Sequence, residues 1–455
     1  MTKRTVLYCA LFAMLCALPL PAQEAKSPEP KSPEPRHITL DEAVQLALKH
    51  NHVVRIAAYG VQEKEHSKDI ARSAYFPLLR NDSTVAQVTD TQFIGIPAGG
   101  LGTAAGTPIP TQSTILNQGG HTIVTSGTSL TQPLSQLWKI KSANDVATAE
   151  LKETRGKARQ TENEVALRVH QLYYRMLVLQ SHKEAAAAKI QANEALQAER
   201  VQQVKLGSTL EEEAIESRAQ SLESKQDLLA TDLQLSDLTM QLNDAIGLPL
   251  TTPLALDPAV RQVANACERE QCLRAALESH PEIAQANAKV EQASAAERMA
   301  KRQYIPDLEA FARYSYADNI PFLVHNFGVF GVHLGYDLFD GGRRNAAIAE
   351  RKAQLAQAEE NLARVKEEVE LRVQTAYNKL ERTRQMMQVS EQLLALRAES
   401  HRVSVQQLRE GSALHSQTDL AAARELEAKT LLLQSQLEYI QANDEMTEAI
   451  GQTPE

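Results

Sequence analysis

The chain repeats itself at a fixed distance. Glu164-Val165-x-Leu167-Arg168-Val169-x-x-x-Tyr173 returns as Glu368-Val369-x-Leu371-Arg372-Val373-x-x-x-Tyr377, an offset of 204 residues. Val201-Gln202-Gln203 with Gly207-Ser208 returns as Val405-Gln406-Gln407 with Gly411-Ser412, and Ala245-Ile246-Gly247 as Ala449-Ile450-Gly451, both at 204. A duplication without insertion over such a span predicts helices of fixed length held against facing partners. Upstream, Ala47-Leu48 matches Ala276-Leu277 and Tyr75-x-Pro77 matches Tyr304-x-Pro306 at an offset of 229. The first copy therefore carries 25 extra residues between Pro77 and about Leu130, where Thr, Ser and Gly dominate.

Both copies present the same order of parts. A first helix begins at Thr39, which forms a capping-box pattern with Glu42. A second is expected from about Val53 to Tyr75, stopped by Pro77. A strand-rich section follows, and then a proline-free helical pattern from about Leu134 to Leu206, about 110 Å long at 1.5 Å per residue. Gly207 breaks this rod. The helix returning to Gly247 covers only about 57 Å of it, and the earlier helix adds about 35 Å if the two stack end to end. The second copy repeats the plan with Ile283–Tyr304, Gly342–Leu408 and Ser412–Ile450. Leu355, Leu362, Val369 and Ala376 recur every seven residues beside Ala346, Ala347, Ala349 and Ala353, a coiled-coil spacing with small flanking residues. At 43% hydrophobic but 4% aromatic residues, the 455-residue composition suits Ala- and Leu-rich rods better than three compact domains.

The strand sections alternate. Leu308, Ala310, Ala312, Tyr314 and Tyr316 fall on one face and Glu309, Arg313 and Ser315 on the other. Phe330, Val332, Leu334, Tyr336 and Leu338 alternate with Gly331, His333, Gly335 and Asp337. Runs of about ten residues with a dyad period suit transmembrane strands. In the first copy Val85–Val88 and Thr122–Thr125 flank Gly95–Pro110, which reads as two strands joined by a long external loop. Four strands cannot close a barrel, and open edges in lipid leave backbone groups unpaired, so assembly with copies of the same chain is expected.

Lys3 and Arg4 before the apolar run Val6–Leu20 have the form of a secretory signal cleaved near Ala22. Met14 and Leu15 precede Cys16 where a lipoprotein signal normally has a small residue, so no lipid anchor is expected. Cys267 and Cys272 then remain in an oxidising compartment. Their spacing favours a local disulfide over a metal site, since no His or second Cys pair stands at zinc spacing; two free thiols are the third alternative. The Pro-rich stretch before Ile38 reads as a tether. The resulting division is a signal (1–22), tether (23–37), first repeat (38–249), linker (250–272), second repeat (273–451) and tail (452–455). A formal charge of −9 without a basic block argues against nucleic acid. No glycine-rich phosphate loop, His-Glu-x-x-His motif or other catalytic constellation appears, so neither enzyme activity nor a cofactor nor a metal is expected.

With its two repeats of helix, strand pair and long helical hairpin, Tyr-x-Pro before the strands, and Leu338-Phe339-Asp340-Gly341-Gly342-Arg343 after the last one, the chain resembles the TolC-type outer-membrane efflux channels. The resemblance implies a mainly α fold with a small β part. Three subunits would share a transmembrane β-barrel, four strands from each, continued by an α-barrel of long antiparallel coiled-coil helices. It further implies an outer-membrane exit duct, in a tripartite pump or a type I secretion system, working with a periplasmic adaptor and an inner-membrane transporter of the RND or ABC type. The alternative from another class is the periplasmic adaptor itself, which usually has one helical hairpin where this chain has two.

By the resemblance, Gly207 and Gly411 mark the periplasmic tips, with Glu211, Glu212, Glu213, Gln417 and Asp419 as gate candidates. The family's usual gate acid lies six residues after the second tip glycine, where this sequence has Gln417, with Glu213 as its first-copy counterpart. Thr209 and Glu212 also have capping-box spacing, a local role for the acids. Lys205, Ser208, Arg409, Glu410 and Ser412 are the adaptor-docking candidates. Tyr314, Tyr316, Phe330, Leu334 and Tyr336 are expected to face outer-membrane lipid.

Overall fold

The computed structural model describes residues 35–90, 93–117, 120–258, 267–320 and 324–453. The signal and most of the tether lie outside the described residues. The chain opens with β1 (Arg36–Ile38), α1 (Leu40–His50) and α2 (His52–Ser73), followed by β2 (Leu78–Gln87). Four short strands come next: β3 (Phe93–Ile96), β4 (Thr103–Ala104), β5 (Thr107–Pro108) and β6 (Thr114–Asn117). Then follow β7 (Thr122–Pro133), α3 (Leu137–Lys205), α4 (Glu211–Ile246) and β8 (Leu254–Leu256). The second repeat holds α5 (Arg269–Ser279), α6 (Pro281–Lys301), β9 (Asp307–Asp318), β10 (Asn326–Gly335), α7 (Arg343–Arg409) and α8 (His415–Ala449).

The rods α3 and α7 are each about 100 Å long. Neither meets the other over its length. Below, α4 packs on α3, α3 on α8 and α8 on α7; above, α2 packs on α3, α3 on α6 and α6 on α7. The wall is thus four helices wide at both levels, with α2 and α6 completing what α4 and α8 leave uncovered. The heptad reading of α7 holds where neighbours exist: Val369 and Ala376 are buried together with Val365, Val373 and Leu380.

Each repeat has its own core at the level where its shorter helices meet. The first gathers Val169, Tyr173, Leu242 and Ile246 around Ala43 and Ala47. The second gathers Val373, Met446 and Ile450 around Cys272 and Ala276. The duplication is legible in this packing, because Cys272 occupies the place of Ala43, and both are fully buried. Cys267 and Cys272 are joined in a disulfide with Cα atoms 5.7 Å apart. Between the cores, His170 Nδ1 and Asp444 meet at 2.7 Å, both buried, and the Tyr174 hydroxyl donates to the same carboxylate at 3.3 Å.

Three boundaries differ from the sequence reading. The end of the tether is a strand: β1 pairs in parallel with β8, inside the supposed linker, and buried Ile38 and Leu256 anchor the pair. The Tyr173 hydroxyl fixes it, donating toward Ile38 O at 3.1 Å and lying 3.0 Å from Asp257 O, and burial pushes this phenol up to about 12. The external loop of the first repeat contains two small hairpins, β3 with β6 and β4 with β5. The Thr209–Glu212 capping box does not form, because α4 starts one residue later with Leu210 as its N-cap and no side-chain cap bond. At α1 the predicted cap is half made: Glu42 N–H donates to Thr39 Oγ1 at 3.3 Å, while the Glu42 carboxylate pairs with Arg36.

The N-caps of α2 and α6 occupy matching positions with different chemistry. Asn51 Oδ1 accepts from Val53 N–H at 2.9 Å and its amide donates to Ala245 O at 3.1 Å. His280 Nδ1 accepts from Glu282 N–H at 3.2 Å, and its buried Nε2 has no partner. Accepting through Nδ1 requires the neutral ring. Burial depresses the His280 pKa below 6.5, helped by the Arg372 guanidinium and opposed by the Glu282 carboxylate. A histidine held neutral by folding contributes its full stability above the unfolded pKa and loses it as pH falls from about 6.5 toward the folded value. His280→Asn, which copies the first repeat's cap, is therefore expected to flatten the change in melting temperature between about pH 7.5 and pH 5.5. An unchanged acid-side slope in thermal melts of the variant would remove His280 as its source.

Candidate functional site

Chemistry-bearing residues gather at three levels: the strand sheet, its junction with the rods, and the helix tips.

The large sheet has the order β10-β9-β7-β2, antiparallel throughout, with β10 and β2 unpaired on their outer sides. Register decides which side chains share a face, because directly opposed residues project the same way. Leu308, Ala312 and Tyr314 lie opposite Leu334, Phe330 and Gly328, and Tyr316 lies opposite Asn326. Tyr314, Tyr316, Phe330 and Leu334 therefore share one face. Across β7 that face continues through Leu130 and Val124 to Leu79 and Val85 on β2. It also carries Asn81, Ser83, Ser126 and Thr128, whose side chains hydrogen-bond to one another at 2.8–3.3 Å. The opposite face carries Arg80, Asp82, Glu309, Arg313 and His333. This second face bears a hollow of about 570 Å³ lined by Asp82, Thr84, Thr125, Phe311, Arg313 and Phe327 among others. Among the described residues no helix is long and apolar enough to cross a membrane.

Tyr336 departs from expectation. β10 ends at Gly335, so Tyr336 is not on a strand, and its ring lies 4.7 Å from the Arg344 guanidinium carbon. The cause is the turn that follows. Asp340 accepts backbone N–H bonds from Gly342 at 3.0 Å and Arg344 at 3.2 Å, which starts α7. Desolvation raises the Asp340 pKa, but those two bonds and the Arg344 and Arg343 charges outweigh it and hold the carboxyl below its usual range. Gly341 and Gly342 have φ of +61° and +88°, which only glycine adopts without strain. The Asp-Gly-Gly element is thus a strand-to-rod corner. Arg344, the residue that locks it, was missed by sequence reasoning; the only signal is a second arginine following Asp-Gly-Gly-Arg.

At the tips, Gly207 and Gly411 have φ of +67° and +72°. Ser208 N–H donates to Gln203 O and Ser412 N–H to Gln407 O, the same left-handed C-terminal reversal in both repeats. The Ser208 and Ser412 hydroxyls also donate to Gln203 O and Gln407 O, at 2.9 and 3.1 Å, so they serve the cap. The Ser416 hydroxyl donates to Glu199 and Lys189 pairs with Glu427, which ties the two hairpins side by side near this end. The gate candidates separate. Glu213 forms an ion pair with Arg200 at 2.7 Å. Gln417 accepts from Leu414 N–H at 3.4 Å, a local cap at the start of α8. Glu211 and Glu212 are exposed in the first turn of α4 and Asp419 is exposed just past the first turn of α8, and among the described residues the Asp419 side chain makes no hydrogen bond or ion pair. Lys205 is exposed at the first tip with Leu206 and Leu210, and Arg409 and Glu410 are exposed at the second with Leu414.

Among the described residues no group of three or more His, Cys, Asp or Glu side chains could hold a metal.

Residues 272–452 match the family model described as outer membrane efflux protein. A search of curated proteins gives no match. Solved structures match the chain almost end to end. A membrane protein from Pseudomonas aeruginosa is 16% identical with a TM-score of 0.73, covering 91% of this chain and 90% of that one. The outer membrane protein VceC from Vibrio cholerae is 14% identical with a TM-score of 0.71, covering 91% and 97%. The CmeC outer membrane channel from Campylobacter jejuni is 14% identical with a TM-score of 0.72, covering 90% and 85%.

Proposed function

We propose, from the match of residues 272–452 to the outer membrane efflux protein model and from the fold shared with solved outer membrane channels, that three copies form a passive duct through the outer membrane. The observation that carries this reading is a sheet with two open edges whose β9–β10 half exposes Tyr314, Phe330, Val332 and Leu334 on one face. In lipid, each unpaired backbone group costs several kcal/mol, which forbids a free edge. β2 runs away from the helices and β10 runs back, so β2 of one copy meets β10 of the next in the antiparallel sense that already relates all four strands. Three copies supply twelve strands, an even number within the range of closed barrels.

The helical wall supports the same arrangement. Ile215, Leu222 and Leu229 stand exposed every seven residues on α4, and Val389, Leu396 and Val403 do so on α7. These are the two outer helices of the lower wall, and apolar stripes at heptad spacing suit helix neighbours. The exposed Phe76, Trp138, Leu338 and Phe339 flank the sheet where it meets the rods, the level at which an aromatic girdle meets the headgroups.

The tips then reach into the periplasm and serve as the docking end for an adaptor that links the duct to an inner-membrane transporter. Lys205, Arg409 and Glu410 with Leu206 and Leu210 offer the docking surface. Asp419 supplies the acidic ring at the neck, since Glu213 is paired with Arg200 and Gln417 caps its helix. The duct performs no chemistry of its own and exports what the transporter delivers.

Membrane fractionation and planar bilayers test this reading. The protein is expected in the outer membrane as a heat-resistant trimer that conducts ions, and Tyr314→Asp is expected to lower trimer yield at least about tenfold by placing a charge on the lipid face. A monomer in the periplasm or inner membrane, as an adaptor would behave, overturns it.

A further inference from the structure

The second face of the sheet carries one arginine without a local counter-charge. In the register, Arg80 on β2, Ser129 on β7 and Arg313 on β9 are opposed in one row, with Val329 beyond them on β10. All four project to the second face. The two arginines are two strands apart, about 10 Å. Their circumstances differ. Arg80 pairs with Asp82 at 3.0 Å. Arg313 is exposed, and among the described residues no carboxylate pairs with it. Its guanidinium lies over Gly127 of β7, where an added Cβ would stand 3.1 Å from Nη2, so the glycine makes the space in which this side chain rests.

Of the two remaining carboxylates on the face, Asp307 is met by a cation and Glu309 only by a neutral amide. Asp307 pairs with Lys139 at 2.5 Å, and Glu309 accepts from the Gln136 amide at 2.9 Å. Glu309 is also four residues down the strand from Arg313, about 14 Å. At physiological ionic strength the screening length is about 8 Å, so Glu309 does not cancel the field at Arg313.

On the reading that three copies close a barrel with this face inward, we propose that Arg313, supported by Arg80, forms a cationic belt in the lumen that holds the anionic groups of passing molecules: phosphate, sulfonate or carboxylate. Threefold symmetry makes three unpaired guanidiniums and three paired ones, staggered because barrel strands tilt. A twelve-stranded barrel is about 24 Å across between backbones, and arginines reaching inward from several sides leave a passage comparable with the screening length. Rings of Arg or Lys give anion and phosphate pores their selectivity. The belt also explains why the hollow on this face combines Arg313 with the Thr84 and Thr125 hydroxyls and the Phe311 and Phe327 rings: it suits an organic anion better than a bare ion.

The test uses the purified full-length trimer in planar bilayers, with inorganic tripolyphosphate added on the side of the external loops. Wild type is expected to be blocked. Arg313→Gln raises the half-blocking concentration about tenfold, Arg313→Lys largely retains the block, and Asp82→Asn, which frees Arg80, lowers that concentration. Conducting trimers that tripolyphosphate does not block, or that it blocks equally in wild type and Arg313→Gln, overturn the belt while leaving the duct intact. Trimers that never conduct overturn the duct and the belt together.

Discussion

Gly451→Ala is expected to destabilise the chain by about 3–5 kcal/mol and to abolish most heat-resistant trimer. Two costs add. Gly451 has φ +91°, a conformation that charges any L side chain with strain. Its added Cβ would also stand 2.7 Å from the His280 Cα and 2.8 Å from the Pro281 Cδ, and neither can turn aside, since one is backbone and the other a ring at a helix start. The position matters because α8 ends here against the beginning of α6, which lets the two short helices together cover α7. Gly247 does the same in the first repeat, with φ +75° and a Cβ that would meet His50 Cβ at 2.7 Å. Gly411→Ala is the control: φ is +72°, but no atom lies within 4 Å of the added Cβ, so only strain of about 1 kcal/mol is expected. Thermal denaturation of both variants in detergent measures the difference, and equal melting temperatures would show that the contact with His280 is unimportant.

How much of this was legible in the sequence depends on the range over which each feature is specified. Helix length, reversal and stacking follow from spacing, and the offset of 204 residues was enough to find the rods, the tip glycines and the returning helices. The shared face of β9 and β10 followed from period-two alternation, and register places Tyr314, Tyr316, Phe330 and Leu334 on it. Tyr336 failed because alternation carries no marker for where a strand stops; the stop is set by Asp340 capping α7 and by Arg344 covering the ring. The pairing of Arg36–Ile38 with Leu254–Leu256 was invisible for a different reason. Its partners lie more than 200 residues apart, and its only sequence trace is three residues in each strand. At the tips, acidity alone did not separate candidates, since Glu213 and Asp419 differ in whether a cation on a neighbouring helix reaches them. Arg200 does so for Glu213 from the preceding turn of α3, and its counterpart in the second repeat is Ser404, which bonds to Thr418 instead.

Arg344→Leu is expected to lower stability by about 3 kcal/mol or more and to disrupt assembly before it disrupts either hairpin. Arg344 is 9% exposed. Its guanidinium donates to Asp337 O at 2.6 Å and to the Tyr336 hydroxyl at 3.3 Å, pairs with Asp340 at 3.3 Å, and lies between the Tyr336 and Tyr304 rings at 4.7 and 5.6 Å. Leucine keeps some packing but leaves Asp340 without its partner cation. Arg344→Lys restores the charge without the planar fork, so an intermediate loss is expected. The first repeat is joined differently. There Ser135 bridges Pro306 O and Leu308 N–H, Gln136 reaches Glu309, and Lys139 reaches Asp307, so α3 is tied to β9 of the other repeat. The second junction is closed mainly by its own corner, and the strand it holds is β10, whose outer edge is free. Loosening it alters the direction in which that edge is presented to the next copy, while α7 and α8 remain paired along their whole contact. Heat-resistant trimer should therefore fall more steeply than helical content, measured by gel mobility and far-UV circular dichroism on the same preparation. A parallel fall in both would place Arg344 in the folding of the subunit rather than in its assembly.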